Sequence, residues 1–283
     1  MDVLINELSL DGQFDNENEF FDNFDQVLEV IKLLEVLHFS ILKEYMLFNA
    51  YITNDYQLSD FLKLRNDKAR KMKRILSKLA MNPPYWNDTQ KHNCNEDNYL
   101  YEGQDICNTS LAESCERDKI ILSFKHNNFF NTTCNMIKNN TNISIYNIIN
   151  KIDFLLYLIE NNQISPIEYC VSKFDISKLN FDNIEQGYGF DSLETTQQIK
   201  EFIEAFELFY RTPWNNISTS DGLKYKPYKP SSKKRDWFRY SDFSGYDIYK
   251  FRVTQTYRCF GYREKDTFFV LRFELDHKIS DNG

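Results

Sequence analysis

The chain has no stretch approaching about 18 uncharged apolar residues, which excludes an obvious membrane-spanning helix. Its start, Met-Asp-Val-Leu-Ile-Asn-Glu, is acidic and lacks the basic cap and long apolar run of a secretory leader. Six cysteines (Cys94, Cys107, Cys115, Cys134, Cys170 and Cys259) include no Cys-x-x-Cys pair. Free thiols in a reducing, cytoplasmic setting are therefore expected. Glycine and proline are scarce while Asn, Lys and Ile abound, a bias that reads as coding preference rather than function. In so Asn-rich a chain the sequons at Asn108 and Asn131 arise by chance.

What is present is enough to fold. Over 283 residues, 42% hydrophobic and 16% aromatic content excludes a wholly disordered chain, and the length suggests two domains. Net charge is −8, at first sight unfavourable for nucleic acid. The charge is unevenly spread. Between Asp221 and Lys265 twelve basic residues face five acidic ones, a surplus of about seven, so the remainder carries about −15. A basic C-terminal module joined to an acidic body is the simplest description.

Taken in order, residues 3–10 read as a short strand and Asp11-Gly12 as a turn. Phe20, Phe21, Phe24, Val27, Leu28, Ile31, Leu34, Leu37, Ile41, Leu42 and Tyr45 recur at helical spacing, predicting one long helix broken at most once. A second helix is predicted over 58–80, carrying Arg65, Lys68, Arg70, Lys71, Lys73 and Arg74. Those cations are either an RNA-facing row or an ordinary solvated face. Pro83 and Pro84 end it.

Residues 87–109 read as an irregular excursion, and 110–124 as a helix opened by a Ser-x-x-Glu capping box. Glu113, Glu116, Arg117, Asp118 and Lys119 there suit intrahelical ion pairs better than catalysis. His126 with Cys115 and Cys134 matches no metal-ligand spacing, and no cofactor is implied. Residues 127–142 read as weakly structured and 143–161 as helical. Strand-like alternation marks 167–171 and 174–181, and Gly187, Tyr188 and Gly189 mark a seam. A helix over 193–210 buries Ile199, Phe202, Ile203, Phe206 and Phe209.

The segment 222–239 mixes Lys224, Lys226, Lys229, Lys233, Lys234, Arg235 and Arg239 with Tyr225, Tyr228, Trp237 and Phe238. That is the composition of a single-stranded nucleic-acid surface, or of a basic loop with its rings tucked into a core. Next comes Lys-Phe-Arg-Val-Thr-Gln-Thr-Tyr-Arg-Cys-Phe-Gly-Tyr at 250–262. Lys250, Arg252 and Arg258 share one parity, while Phe251, Val253, Tyr257 and Cys259 share the other. With Thr254, Gln255 and Thr256 as the loop, Val253 pairs with Tyr257 and Arg252 faces Arg258. Like charges so placed imply an anion, or a carboxylate arriving from elsewhere in the fold.

The order helix, basic linker, arginine-bearing hairpin, apolar strand and closing His277 resembles the RelE/ParE superfamily of bacterial toxins, including its YoeB-like ribonucleases, over residues 190–283. Several members carry an Arg, six residues, then a second Arg entering a strand, and close on a strand ending in His or Arg. The resemblance implies a small toxin-like domain over 190–283; with the helical spacing upstream, which resembles no named family, the expectation is an α+β chain with a mainly helical N-terminal domain over 1–189. In that small domain a helix would pack on an antiparallel sheet.

It further implies metal-independent RNA cleavage, on ribosome-bound messenger RNA in many members. Arg252 and Arg258 would stabilise the phosphorane, and His277 would act as acid or base. Lys250, Tyr257 and Arg272 are secondary candidates. Lys224, Lys226, Lys229, Lys233, Lys234, Arg235, Arg239, Lys250, Trp237 and Tyr257 would contact RNA. The acidic body would regulate, sense a trigger such as phage infection, or inhibit in cis as an antitoxin does. The alternatives are a binding module that holds RNA, the ribosome or gyrase without cutting, and a protein–protein component of a defence system.

Overall fold

A computed structural model describes residues 1–61, 63, 73, 75, 77, 79 and 82–280. The chain divides into two compact units between Phe154 and Leu155, so Gly187, Tyr188 and Gly189 fall inside the second.

The first unit is built on a sheet, which corrects the expectation of a mainly helical N-terminal domain. Its elements are β1 (Asp2–Ile5), α1 (Glu17–Val36), β2 (Ser40–Leu42), β3 (Tyr99–Tyr101), β4 (Gln104–Asp105), α2 (Ser110–Cys115), β5 (Ile120–Leu122), β6 (Thr133–Lys138) and β7 (Thr141–Ile148). The seven strands lie in the order β2-β1-β5-β7-β6-β3-β4. Pairing is parallel from β2 through β7 and antiparallel from β7 through β4.

Short strands account for part of the error, β2 and β5 having three residues each, whereas β6 and β7 have six and eight. Three or four buried apolar residues fit a helical window as well as an extended one. Residues 110–124, expected to be one helix, are α2 followed by β5, and the cap is Thr109, whose hydroxyl accepts from the Ala112 amide. The segment 127–142 is ordered as β6 turning into β7 through Asn139 and Asn140, both at positive φ. Asparagine tolerates that left-handed pair, which is what a two-residue hairpin turn requires. Residues 143–148 continue β7 before α3 (Lys151–Glu160) begins.

The long helix starts where expected but stops early. Asn16 caps α1 by accepting from the Asn18 and Glu19 amides at 3.0 and 3.1 Å. At the other end His38 takes φ 56°, and the Phe39 amide reaches back to the Leu34 carbonyl at 2.9 Å. That Schellman closure turns the chain into β2 without glycine or proline to announce it. Within the unit Phe20, Phe24 and Phe124 stack at 5.6 to 6.3 Å between centroids.

The helix expected over 58–80 begins at Leu58–Phe61, and Lys73 is helical. Its other cations, Arg65, Lys68, Arg70, Lys71 and Arg74, lie outside the described residues. Cys94 and Cys107 form a disulfide that brackets the β3–β4 hairpin, correcting the expectation of six free thiols. Cys115, Cys134, Cys170 and Cys259 are buried and unbridged. Among the described residues no helix is long and apolar enough to cross a membrane.

The second unit contains α4 (Pro166–Lys173), β8 (Leu179–Asn180), α5 (Thr196–Arg211), β9 (Lys226–Pro227), β10 (Ile248–Arg252), β11 (Arg258–Glu264) and β12 (Thr267–Glu274). Residues 167–171, expected to be strand-like, lie in α4, and only two residues of 174–181 are extended. The sheet order is β8-β12-β11-β10-β9, with β8 parallel to β12 and the remaining pairs antiparallel.

A Thr195/Gln198 capping box starts α5, and its stripe Phe202, Phe206 and Phe209 is fully buried. Phe202 stacks on Phe273 at 4.1 Å, and Phe209 meets Phe251 and Phe268 at 4.8 and 5.2 Å. Each such ring contributes on the order of 2–3 kcal/mol by leaving water.

β11 carries an irregularity at Phe260/Gly261. A Cβ on Gly261 would collide with the Phe269 carbonyl and stand 2.7 Å from the Phe268 ring. Gly261→Ala is therefore expected to destabilise the second unit by about 3 kcal/mol, seen as a lower urea midpoint. An unchanged midpoint would mean that β11 and β12 separate there at little cost.

Candidate functional site

Because Phe251 and Phe273 face α5, strand alternation sends their neighbours to the opposite face. Arg252, Arg258 and Glu274 form one cross-strand row and Lys250, Phe260 and Arg272 the next. The hairpin has the register that the sequence implies, with the Val253 amide donating to the Tyr257 carbonyl at 3.0 Å and Arg252 opposite Arg258. The Thr254 hydroxyl closes the loop by accepting from the Thr256 and Tyr257 amides.

Arg258 is 8% exposed. It donates to the Thr254 and Tyr257 carbonyls at 2.9 and 2.7 Å. Another of its nitrogens pairs with Nε2 of His277. A guanidinium only donates, so in this pair Nε2 accepts and the imidazole proton sits on Nδ1. His277 lies just beyond β12 in a turn, at φ 61°. That turn is held by Glu274, whose Oε1 accepts from the Ile279 and Ser280 amides at 2.6 and 2.8 Å. Lys250 holds it from the other side, with Nζ donating to the Ser280 carbonyl at 2.9 Å. The arginine pair and His277 are thus brought together, and Glu274, which the sequence reading did not single out, positions the histidine.

Arg252 differs from its partner. Its Nε is enclosed with no hydrogen-bond partner, although a guanidinium is charged at every ordinary pH. Oε2 of Glu274 is likewise enclosed and without a partner. An enclosed orphan donor costs about 1–3 kcal/mol.

The remaining candidates separate. Lys250 is buried, and Arg272 is fully engaged: it makes a two-pronged pair with Glu185 at 2.7 Å for each prong and donates to the Trp237 carbonyl. The rings of Tyr188, Phe238 and Trp237 pack around it at 4.3 to 5.1 Å. Both are braces for the sheet rather than surface contacts. Tyr257 lies on the α5 side against Phe202, away from the arginines.

Trp237 is engaged with Phe260 and Tyr188, and Tyr228 and Phe238 are core residues. Lys224, Lys226, Lys229, Lys233, Lys234, Arg235 and Arg239 are exposed. The basic segment therefore keeps its cations in water while most of its rings serve the core. The sequence reading passed over Tyr240, which is 88% exposed with the Arg239 guanidinium 4.9 Å from its ring centre.

A second polar cluster lies in the first unit. The buried Glu113 accepts from Nδ1 of His92 and Nε of Arg117, both at 2.6 Å, and from the Lys91 and His92 amides. Arg117 continues to Asp2 and Thr89. Glu113 and Arg117 form an ion pair at the spacing the sequence suggested, but Arg117 lies in the turn beyond α2, and the buried, fully bonded setting suits a structural clasp.

No protein-family model matches the chain, and comparisons with curated proteins and with solved structures give no match.

Burial pushes the Glu113 carboxyl upward, yet the bonds from His92, the two amides and Arg117 outweigh it and leave it below the ordinary range. A lowered folded value stabilises above the unfolded one, and that stability is lost as pH falls from about 4.5 through the folded value. Urea midpoints of the full chain should therefore drop with acid over that window, and Glu113→Gln should flatten the slope. Equal slopes in both proteins would remove Glu113 as its source.

Proposed function

We propose that the second unit acts as a toxin-like, metal-independent endoribonuclease of the RelE/ParE type. The observation that carries this reading is Arg252, with its enclosed and unsatisfied Nε, across the hairpin from Arg258, which itself pairs with His277. Two guanidiniums on one face are suited to the equatorial oxygens of a phosphorane, because each offers several donors and neither can lose its charge.

The chemistry would be attack of a ribose 2′-oxygen on the adjacent phosphorus. The 5′-oxygen leaves, giving a 2′,3′-cyclic phosphate and a 5′-hydroxyl. A phosphate arriving at Arg258 competes with Nε2 of His277 for the guanidinium. The displaced Nε2 then takes the 2′-hydroxyl proton, and the resulting imidazolium returns a proton to the leaving oxygen. The exposed cations between Lys224 and Arg239 would follow the RNA backbone, so retention would weaken as salt rises. Messenger RNA on the ribosome is the substrate expected from the resemblance.

A non-catalytic binding module is the second reading. It is favoured by the carbonyl bonds that already brace Arg258.

The test is incubation of the full chain with end-labelled single-stranded RNA, and with programmed ribosomes, in the presence of EDTA. Cleavage leaving a 2′,3′-cyclic phosphate is expected. His277→Ala and Arg258→Ala should each lower the rate by roughly 10²–10⁴-fold. An intact rate in His277→Ala, or no cleavage of either substrate, would overturn the catalytic reading. RNA retention that is unchanged in His277→Ala but lost in Arg252→Ala would support the binding module instead.

A further inference from the structure

The first unit holds a lysine in an unusual setting. Lys43 follows β2 and is 2% exposed. Its backbone is fixed to the segment after the proline pair, where the Trp86 amide donates to the Lys43 carbonyl at 3.0 Å. Its Nζ lies 4.8 Å from the centre of the Tyr85 ring. Among the described residues no carboxylate pairs with that ammonium.

The side chain lines a cavity of about 300 Å³, walled by Ile31, Phe39, Ile41, Leu79 and Pro84. Among the described residues, Glu35, an exposed residue of α1, also lines the cavity, and the Tyr85 ring lies against Nζ. An ammonium in apolar surroundings without a counter-charge is costly, and the cheapest relief is loss of its proton. Burial accordingly pushes Lys43 down to about 8, against about 10.4 for a lysine in water. A desolvated amine in an apolar cavity is the arrangement that makes lysine a nucleophile near neutral pH.

We propose that Lys43 is a nucleophilic lysine that condenses with a small apolar aldehyde or ketone held in this cavity. The neutral amine adds to the carbonyl carbon to give a carbinolamine. Both amine hydrogens then leave with the carbonyl oxygen as one water, and a carbon–nitrogen double bond to Nζ remains. The apolar walls select the carbon chain. This activity is independent of the arginine face of the second unit.

The test uses the full chain with hexanal and sodium cyanoborohydride, whose hydride reduces the imine to a stable hexyl-lysine that peptide mass spectrometry locates. At pH 7.5 the hexyl mark should concentrate on Lys43 at least tenfold over exposed lysines such as Lys63. Its yield should rise to half-maximum near pH 8. Glyoxylate, a charged aldehyde, should mark Lys43 less than hexanal does, and Lys43→Met should lose the preferred mark. Labelling spread evenly over surface lysines, or Lys43 left unmodified, would overturn the proposal, and both outcomes are read on the unaltered protein.

Discussion

The second unit depends on one contact: the phenylalanine stripe of α5 seated on Phe251, Phe268 and Phe273 of its sheet. A strand has two faces, so once these rings are committed to α5 the intervening side chains have nowhere else to go. Lys250, Arg252, Arg258, Arg272 and Glu274 are charged residues forced onto a common face by apolar neighbours. A slip of one residue in β10 would exchange the two sets and bury guanidiniums against phenylalanine. The hydrophobic seam therefore fixes the positions of the charges.

Gathering cations on a covered face raises their desolvation cost, and the fold answers differently for each. Arg272 receives a carboxylate from Glu185 and three rings, Lys250 a carbonyl, and Arg258 two carbonyls and an imidazole. Arg252 keeps an unsatisfied Nε. Structural polar groups are normally satisfied, so this atom is an exception in a row whose other members are bonded. Glu274 could have neutralised the row, yet its Oε1 is spent on the Ile279 and Ser280 amides. The carboxylate thereby shapes the turn that presents His277.

The first unit uses similar devices for other ends. Glu113 gathers His92, Arg117 and two amides into a saturated clasp, whereas Lys43 is left with a tyrosine face. One is inert because every donor has an acceptor. The other is a buried ammonium with no carboxylate paired to it among the described residues.

Strong local periodicity was legible in the chain: the amphipathic stripe of α5, the start of α1, and the hairpin whose two-residue alternation and three-residue loop set Arg252 against Arg258. The first unit's sheet was not. Strands of three or four buried residues carry too little period to outweigh a helical reading, and the Schellman turn at His38 uses no glycine. The Asn139–Asn140 turn did leave a mark, an asparagine pair between alternating segments, but the Asn-rich background hid it.

The sequence by itself determined which residues alternate, where cations concentrate, and that two arginines face each other across a hairpin, because these are set by neighbours a few positions apart. Only the tertiary structure decided that Glu185 reaches Arg272, that His277 turns back onto Arg258, that Cys94 meets Cys107, and that Lys43 is buried against Tyr85. Such pairings join distant parts of the chain, and their geometry exists only once the apolar faces have closed.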